Sequence, residues 1–367
     1  MRCSSFEPLS NILHMPCSRP EYFPTTLLSP CSSEWTARYH ITAPPRGAWQ
    51  SLASIPIAPR QEHTTVAISN TTMAIFGGIM PQGDGLRTTG ILQLYDISKD
   101  KWSLGSPAPV QANHPNLASV DGMVYLLGGM SETTDSAWEG FPESMVYDAG
   151  ADRWSRLKPM PAKERRGSAA IGVYKDTIFL AGGLRRLEPF AGGVQTTMDV
   201  VSAFNTVSGR WIPLPKAARR LPEPRDHAGG AVVGHHFYVL GGRMNGQVNV
   251  KDTVFVLDLD NMEKGWRVSP GRLPTPRGGL SAATMGPIVY TFGGEGNPAA
   301  GSGGVFNETE AFDTRTETWT QLQPMAMPRH GTSAVAVGSK FFIPGGGKTQ
   351  GGDPVDVMDA YSPWGMA

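Results

Sequence analysis

Six glycine doublets divide most of this chain into segments of near-equal length. They stand at Gly77-Gly78, Gly128-Gly129, Gly182-Gly183, Gly241-Gly242, Gly293-Gly294 and Gly345-Gly346, spaced 51, 54, 59, 52 and 52 residues apart. Each closes an apolar run, and one tryptophan falls in step with each: Trp49, Trp102, Trp154, Trp211, Trp266 and Trp319. A unit of about 50 residues cannot bury its own apolar face, so the copies must stack on one another. The clearest copy runs from Asp121 to Trp154: D-G-M-V-Y-L-L-G-G, a polar loop, S-M-V-Y-D, then Trp six residues after that Asp.

Each copy reads as four short strands of β-branched and aromatic residues. In the first these are His63–Ile68, Met73–Phe76, Ile91–Asp96 and a strand at Trp102. In the second they are Leu117–Val120, Met123–Leu127, Met145–Asp148 and a strand at Trp154. The glycines are expected to turn the chain out of the second strand through positive φ. The sixth copy offers only three strands, Thr332–Val337, Phe341–Ile343 and Val355–Tyr361, while Trp49 has none before it. Ala48–Ala53 is therefore expected to supply the missing outer strand and so remove an open sheet edge.

This punctuation resembles the kelch family of β-propellers over residues 49–361. The resemblance implies an all-β, six-bladed propeller over residues 45–367, its last blade closed by an N-terminal strand. Residues 1–44, with prolines at 16, 20, 24 and 30, read as an irregular extension. Kelch propellers most often serve protein interaction. Stand-alone kelch chains of this size also resemble accessory proteins of specialised (secondary) metabolite pathways in filamentous fungi.

Composition narrows the partners. The net charge is zero without a run of five like charges, so no nucleic-acid or membrane partner is expected. Cys3, Cys17 and Cys31 all precede the repeats, which argues against a disulfide framework. With no signal-like apolar segment and no apolar run near ~20 residues, a soluble, cytoplasmic monomer is the expectation.

Alternating strands bring the connections between blades and the loops between second and third strands to one face, where variable residues collect. The connections carry Arg60, Glu62, His63, His114, Arg225, His227, Arg277, Arg329 and His330; the loops carry Trp138, Arg185, Arg186, Arg243 and Glu295. The recurring arginines have two readings: struts to backbone carbonyls between blades, or a cationic mouth for an anionic or phenolic small molecule. His114, Trp138, Arg185-Arg186 and Glu295 stand out because they break the repeat. His63, His114, His227 and His330, with Glu62 and Glu295, are the acid–base candidates. The arginines Arg60, Arg185, Arg186, Arg225, Arg243, Arg277 and Arg329, with Trp138, are the binding candidates.

No cofactor and no metal are expected. Gly345–Thr349 lacks the first glycine and the following helix of a phosphate loop. Galactose oxidase, a kelch-type copper enzyme, needs a propeller cysteine that is missing here. The specifier proteins' iron pattern Glu-x3-Asp-x3-His does not occur either. His235-His236 is read as opening a strand with its rings on opposite sides. The functional expectation is cofactor-independent isomerase-, cyclase- or dehydratase-type chemistry on a small molecule, the alternative being a protein-interaction scaffold.

Overall fold

A computed structural model describes residues 47–83, 85–190 and 193–364. The expected extension over residues 1–44 lies outside the described residues. The rest forms six antiparallel blades of four strands each, arranged as a β-propeller, with a hairpin extending the second blade's sheet to six strands and two further two-stranded hairpins.

Blade 1 comprises Thr64–Ala67, Thr72–Phe76, Leu92–Asp96 and Lys101–Leu104. Blade 2 comprises Leu117–Val120, Met123–Glu132, Trp138–Asp148 and Arg153–Arg156, and blade 3 Ala170–Tyr174, Thr177–Ala181, Val201–Asn205 and Arg210–Ile212. Blade 4 uses Gly229–Val233, His236–Leu240, Val254–Asp258 and Trp266–Val268, and blade 5 Ser281–Met285, Ile288–Phe292, Thr309–Asp313 and Thr318–Gln321. In blade 6, Val335–Val337, Lys340–Pro344 and Met358–Ser362 are completed by Ala48–Leu52, which pairs antiparallel with the last of them from Ala48↔Ser362 to Leu52↔Met358. The expected closure by an N-terminal strand is present.

Blades stack by burying their middle strands against each other. Phe179 and Ala203 of blade 3 meet Phe237 and Phe255 of blade 4, and Met73 and Tyr95 of blade 1 meet Phe342 and Met358 of blade 6. The periodic tryptophans lock neighbouring sheets at the rim. Trp102, Trp154, Trp211, Trp266 and Trp319 donate their indole N–H to the carbonyls of Ala53, Ser106, Lys158, Ala218 and Gly271, each just beyond the preceding blade's outer strand. A partly buried indole needs such an acceptor, which explains why tryptophan returns once per blade.

The glycine doublets do a different job. The N–H of Gly346 donates to the carbonyl of Arg60 in the next blade at 2.7 Å, and Gly345 has φ 61°. A Cβ on Gly345 would stand 2.5 Å from that same carbonyl, so no side chain fits where the blades touch.

Two departures from the expected strands shape the mouth. In the blade 2 doublet only Gly128 is left-handed; a register shift between Phe141 and Ser144 absorbs the irregularity, and both strands run on past the doublet to Glu132 and back from Trp138. Trp138 and Glu139 then pair with Leu187 and Arg186 of a blade 3 hairpin, Leu184–Leu187 and Gln195–Thr197. The other departure is that second-to-third loops also form hairpins elsewhere, at Ile79–Gln82 with Gly85–Thr88 and at Gly347–Thr349 with Gly352–Pro354. The last of these occupies the end of Gly345–Thr349, where a strand and not the helix of a phosphate loop follows the glycines.

Candidate functional site at the propeller axis

The connections between blades place one residue from each at the axis, two positions after the column Arg60, Ala112, Arg166, Arg225, Arg277, Arg329. These are Glu62, His114, Ser168, His227, Gly279 and Gly331, all left-handed, with φ of 52°, 49°, 55°, 51°, 61° and 61°. Each N–H donates to the carbonyl of its counterpart in the preceding blade, closing a ring: Glu62 to Gly331 at 2.6 Å, His114 to Glu62 at 2.8 Å, Ser168 to His114 at 3.0 Å. His227 to Ser168 at 3.4 Å, Gly279 to His227 at 2.9 Å and Gly331 to Gly279 at 3.1 Å complete it. Glycine meets this geometry freely in blades 5 and 6. A side chain there costs about 1 kcal/mol, so the four non-glycine residues hold strain that the ring enforces.

Three of those residues meet. His114 Nε2 lies 3.1 Å from Glu62 Oε2 and 3.0 Å from His227 Nε2, and His227 Nε2 is 3.8 Å from the same carboxylate oxygen. All three are buried. The preceding residues orient the rings: Asn113 Oδ1 is 2.7 Å from His114 Nδ1, and Asp226 Oδ1 is 2.7 Å from His227 Nδ1. Asn113 Nδ2 donates to Thr88 Oγ1 at 2.7 Å, which turns its oxygen toward the imidazole. Both oxygens suit the tautomer that carries Nδ1–H outward, which leaves Nε2 facing inward.

A second tier surrounds this triad. His330 Nδ1 is 3.4 Å from the other Glu62 oxygen, Oε1, and 3.6 Å from Glu295 Oε2. Arg243 pairs with Glu295 and, through Nε at 3.0 Å, with Asp226; its Nη2 is 3.2 Å from His227 Nε2. Burial alone would lower the His330 pKa, but Glu295 and Glu62 outweigh it and push it up to about 9, so the ring is a cation at neutral pH. Burial takes His114 the other way, to about 4, against the pull of Glu62. Burial would raise the Glu62 carboxyl, yet His114, His330 and His227 around it hold it well below the carboxylate range.

The cluster forms the floor of a cavity of about 550 Å³ on the hairpin face, a size usual for small-molecule pockets. Trp138, Leu187, Phe190 and Val248 give it apolar walls, and Gln61, Gln247 and Gln350 give it amides. The Trp138 ring packs on His114 with centroids 5.6 Å apart. Gln61 Oε1 is buried and has no hydrogen-bond partner among the described residues, leaving an acceptor at the floor. Below the triad, a narrower cavity of about 220 Å³ continues between the first strands.

The structure therefore unites Glu62, His114, His227, His330, Glu295, Arg243 and Trp138, and separates the remaining candidates from them. Arg60, Arg225, Arg277 and Arg329 are not at the mouth; all are buried inside the blades. Arg277 donates to Gly293 O at 2.6 Å and pairs with Glu310 at 2.5 Å, and Arg329 donates to Ile343 O at 3.0 Å and pairs with Asp359 at 2.8 Å. Arg60 bonds Ile91 O and Gln93, and Arg225 bonds Gly241 O and Glu223. Their column points between strands, two residues short of the axis, so of the two readings these four arginines follow the struts. His63 donates to or accepts at no other candidate; its Nε2 stands 3.1 Å from Pro344 O. Arg185 is the bulged residue between Leu184 and Arg186, and Arg186 pairs with Asp135 and Glu188.

Sequence reasoning missed Asp226, Gln61 and the role of Asn113. Aligning the copies on the arginine and reading its next two columns exposes them. It also misjudged His235-His236: His235 lies in the turn before the strand, and the rings are 4.2 Å apart, with Asp258 beside them. Alternation of side chains starts only where the strand does.

Among the described residues, no helix is long and apolar enough to cross a membrane. Residues 186–347 match the KLHDC2/KLHL20/DRC7 Kelch-repeats domain family. The chain is 36% identical over 322 residues to the Kelch-like protein terF of Aspergillus terreus, spanning 86% of this chain and 68% of that protein. It is 27% identical over 256 residues to Kelch domain-containing protein 3 of Bos taurus, covering 65% and 64% of the two chains. Beta-scruin of Limulus polyphemus is 24% identical over 312 residues, 81% of this chain and 32% of its own length. With the six-bladed fold, these likenesses make the chain a member of the kelch-repeat family of β-propeller proteins.

Proposed function

We propose that the axial mouth binds and transforms a phenolic or enolisable small molecule, in a specialised-metabolite context suggested by the likeness to a fungal Kelch-like protein. One observation carries this reading: Glu62, His114 and His227 bring a carboxylate and two imidazoles together at the floor of a cavity of ligand size, from left-handed positions that two other blades fill with glycine. Lone-pair donors beside the cations Arg243 and His330 suit isomerisation, cyclisation or dehydration, where a proton leaves carbon and charge gathers on oxygen. The floor holds three carboxylates, Glu62, Asp226 and Glu295, against those two cations. A neutral phenol or ketone is thus favoured over a carboxylate ligand. Trp138, Phe190 and Val248 supply apolar walls for its rings.

The test is allelic replacement in the source organism followed by comparative metabolite profiling. The His227→Ala and Glu62→Gln alleles are expected to accumulate a precursor isomeric with, or one water heavier than, the normal product. Full complementation by both alleles sinks the reading. A protein-docking face is the second reading, favoured by Phe190, Val194 and Val248, which stand 58%, 59% and 80% exposed. Loss of phenotype on charging these three, with the axial alleles silent, would put it first.

A further inference from the structure

We propose that Glu62, His114 and His227 together hold one divalent first-row transition-metal ion of the zinc class at the propeller axis. The inference rests on the axial site being functional and specifies how its three donors act.

Geometry carries it first. The facing atoms, Glu62 Oε2, His114 Nε2 and His227 Nε2, are separated by 3.1, 3.0 and 3.8 Å. A triangle with those sides has its equidistant point about 2 Å from every corner, which is the bond length of zinc to imidazole nitrogen and carboxylate oxygen. The three ligand atoms therefore already stand at metal-bonding distance from one point.

The surroundings carry it second. Both imidazoles are oriented from behind through Nδ1, one by a carboxylate and one by an amide oxygen, the arrangement that holds histidine ligands on metals. Glu62 is divided in the same sense: Oε1 faces His330, and Oε2 is left for the triad. In the tautomers that carry Nδ1–H on both rings, the two Nε2 lone pairs and a Glu62 oxygen converge on one point. Such convergence is electrostatically unfavourable unless a cation sits there. Arg243 Nη2, 3.2 Å from His227 Nε2, meets part of that demand. Its guanidinium already pairs with Asp226 and Glu295, so it keeps two partners when an ion takes the nitrogen.

Two histidines and one carboxylate leave coordination positions open, and both axial cavities are lined by all three residues. Oxygen of a phenol or enol entering from the hairpin face therefore reaches the ion directly. Nitrogen donors select against calcium and magnesium. The three ligands come from the connections into blades 1, 2 and 4, which is why no local spacing announces them.

The test is zinc titration of the full chain by calorimetry after chelator treatment, in a background carrying His235→Ala and His236→Ala to remove the surface His235, His236, Asp258 group. One zinc per chain is expected. His114→Gly and His227→Gly are the informative variants, because glycine is the residue that blades 5 and 6 carry at this place, and the backbone tolerates it. Each is expected to weaken zinc at least tenfold while keeping the melting temperature of the metal-free protein, and Asp226→Asn to weaken it about tenfold. Cobalt(II) should give a visible spectrum that both glycine variants lose. Absence of stoichiometric zinc in the parent, or unchanged affinity in both glycine variants, overturns the metal. If zinc fails to bind but His227→Ala still alters the metabolite profile, the metal falls and the small-molecule reading stands. If zinc binds and the profile is unchanged, the metal stands and that reading falls.

Discussion

The indole N–H of Trp49 donates to the carbonyl of Gln323 at 3.0 Å, joining residues 274 positions apart. It is the same contact that the other five repeat tryptophans make with their preceding blades, so the closing blade is built like any other. Trp49 also packs on Tyr361 and Phe292 with centroids 4.8 and 5.8 Å away. Removing residues 1–54 deletes this strand and exposes the edge of Met358–Ser362. The truncation should lose several kcal/mol and aggregate, whereas removing residues 1–40 should do much less. Thermal melts with light scattering on both truncations check this; equal behaviour counts against closure as a stabilising device.

Arg277 is fully buried against Glu310 and the Gly293 carbonyl. Replacing it with alanine leaves a buried carboxylate unpaired, so a loss of about 3–5 kcal/mol is expected. Ligand affinity of the folded fraction should be unchanged. Chemical denaturation combined with binding on the same variant separates the two, and a stable variant with lost affinity would restore Arg277 to the site.

Ser168 is the axial residue with a left-handed backbone, φ 55°, and no contact with the triad side chains in the bonds described above. Its Oγ accepts only a long 3.3 Å bond from the His227 N–H. Ser168→Gly should therefore raise stability by about 0.5–1 kcal/mol without altering zinc affinity. A lower melting temperature would show that strain at this ring is smaller than its φ values imply.

His63 gives a pH signature. Burial, reinforced by Arg60, lowers its pKa to about 3, against an ordinary 6.5. Its folded pKa is thus below its unfolded one, so above about pH 6.5 it costs nothing. As pH falls from there toward 3 the unfolded chain binds the proton first, and stability drops. By pH 5 the difference amounts to about 2 kcal/mol. His114 acts in the same direction, so the comparison must be wild type against His63→Gln, whose stability should decline less between pH 7 and pH 5. Parallel pH profiles would show that His63 charges in place.

The architecture was legible because every blade repeats its own requirements. A doublet is needed wherever one blade's backbone presses on the next blade's carbonyl, and a tryptophan wherever an outer strand must reach back, so both recur at about 50 residues. Even the closing strand followed from Trp49 lacking companions. The long arms of blade 2 were not legible, since only the three-dimensional position of the Leu184–Leu187 hairpin gives Trp138 and Glu139 a partner.

The residue types of the site were also visible: His114, Trp138 and Glu295 as departures from the repeat, and Glu62, His227 and His330 as acid–base candidates beside its arginines. Their meeting was not. Glu62 and His227 are 165 positions apart and His114 lies between them, so no spacing rule links their side chains. Sequence by itself determined the blade, its number and its order, because those depend on short-range patterns of apolar residues, glycine and tryptophan. Only closure of the ring decided which column faces the axis, turning Arg277 and Arg329 into struts and bringing a carboxylate and two imidazoles together, because a distance across the axis is set by all six blades at once.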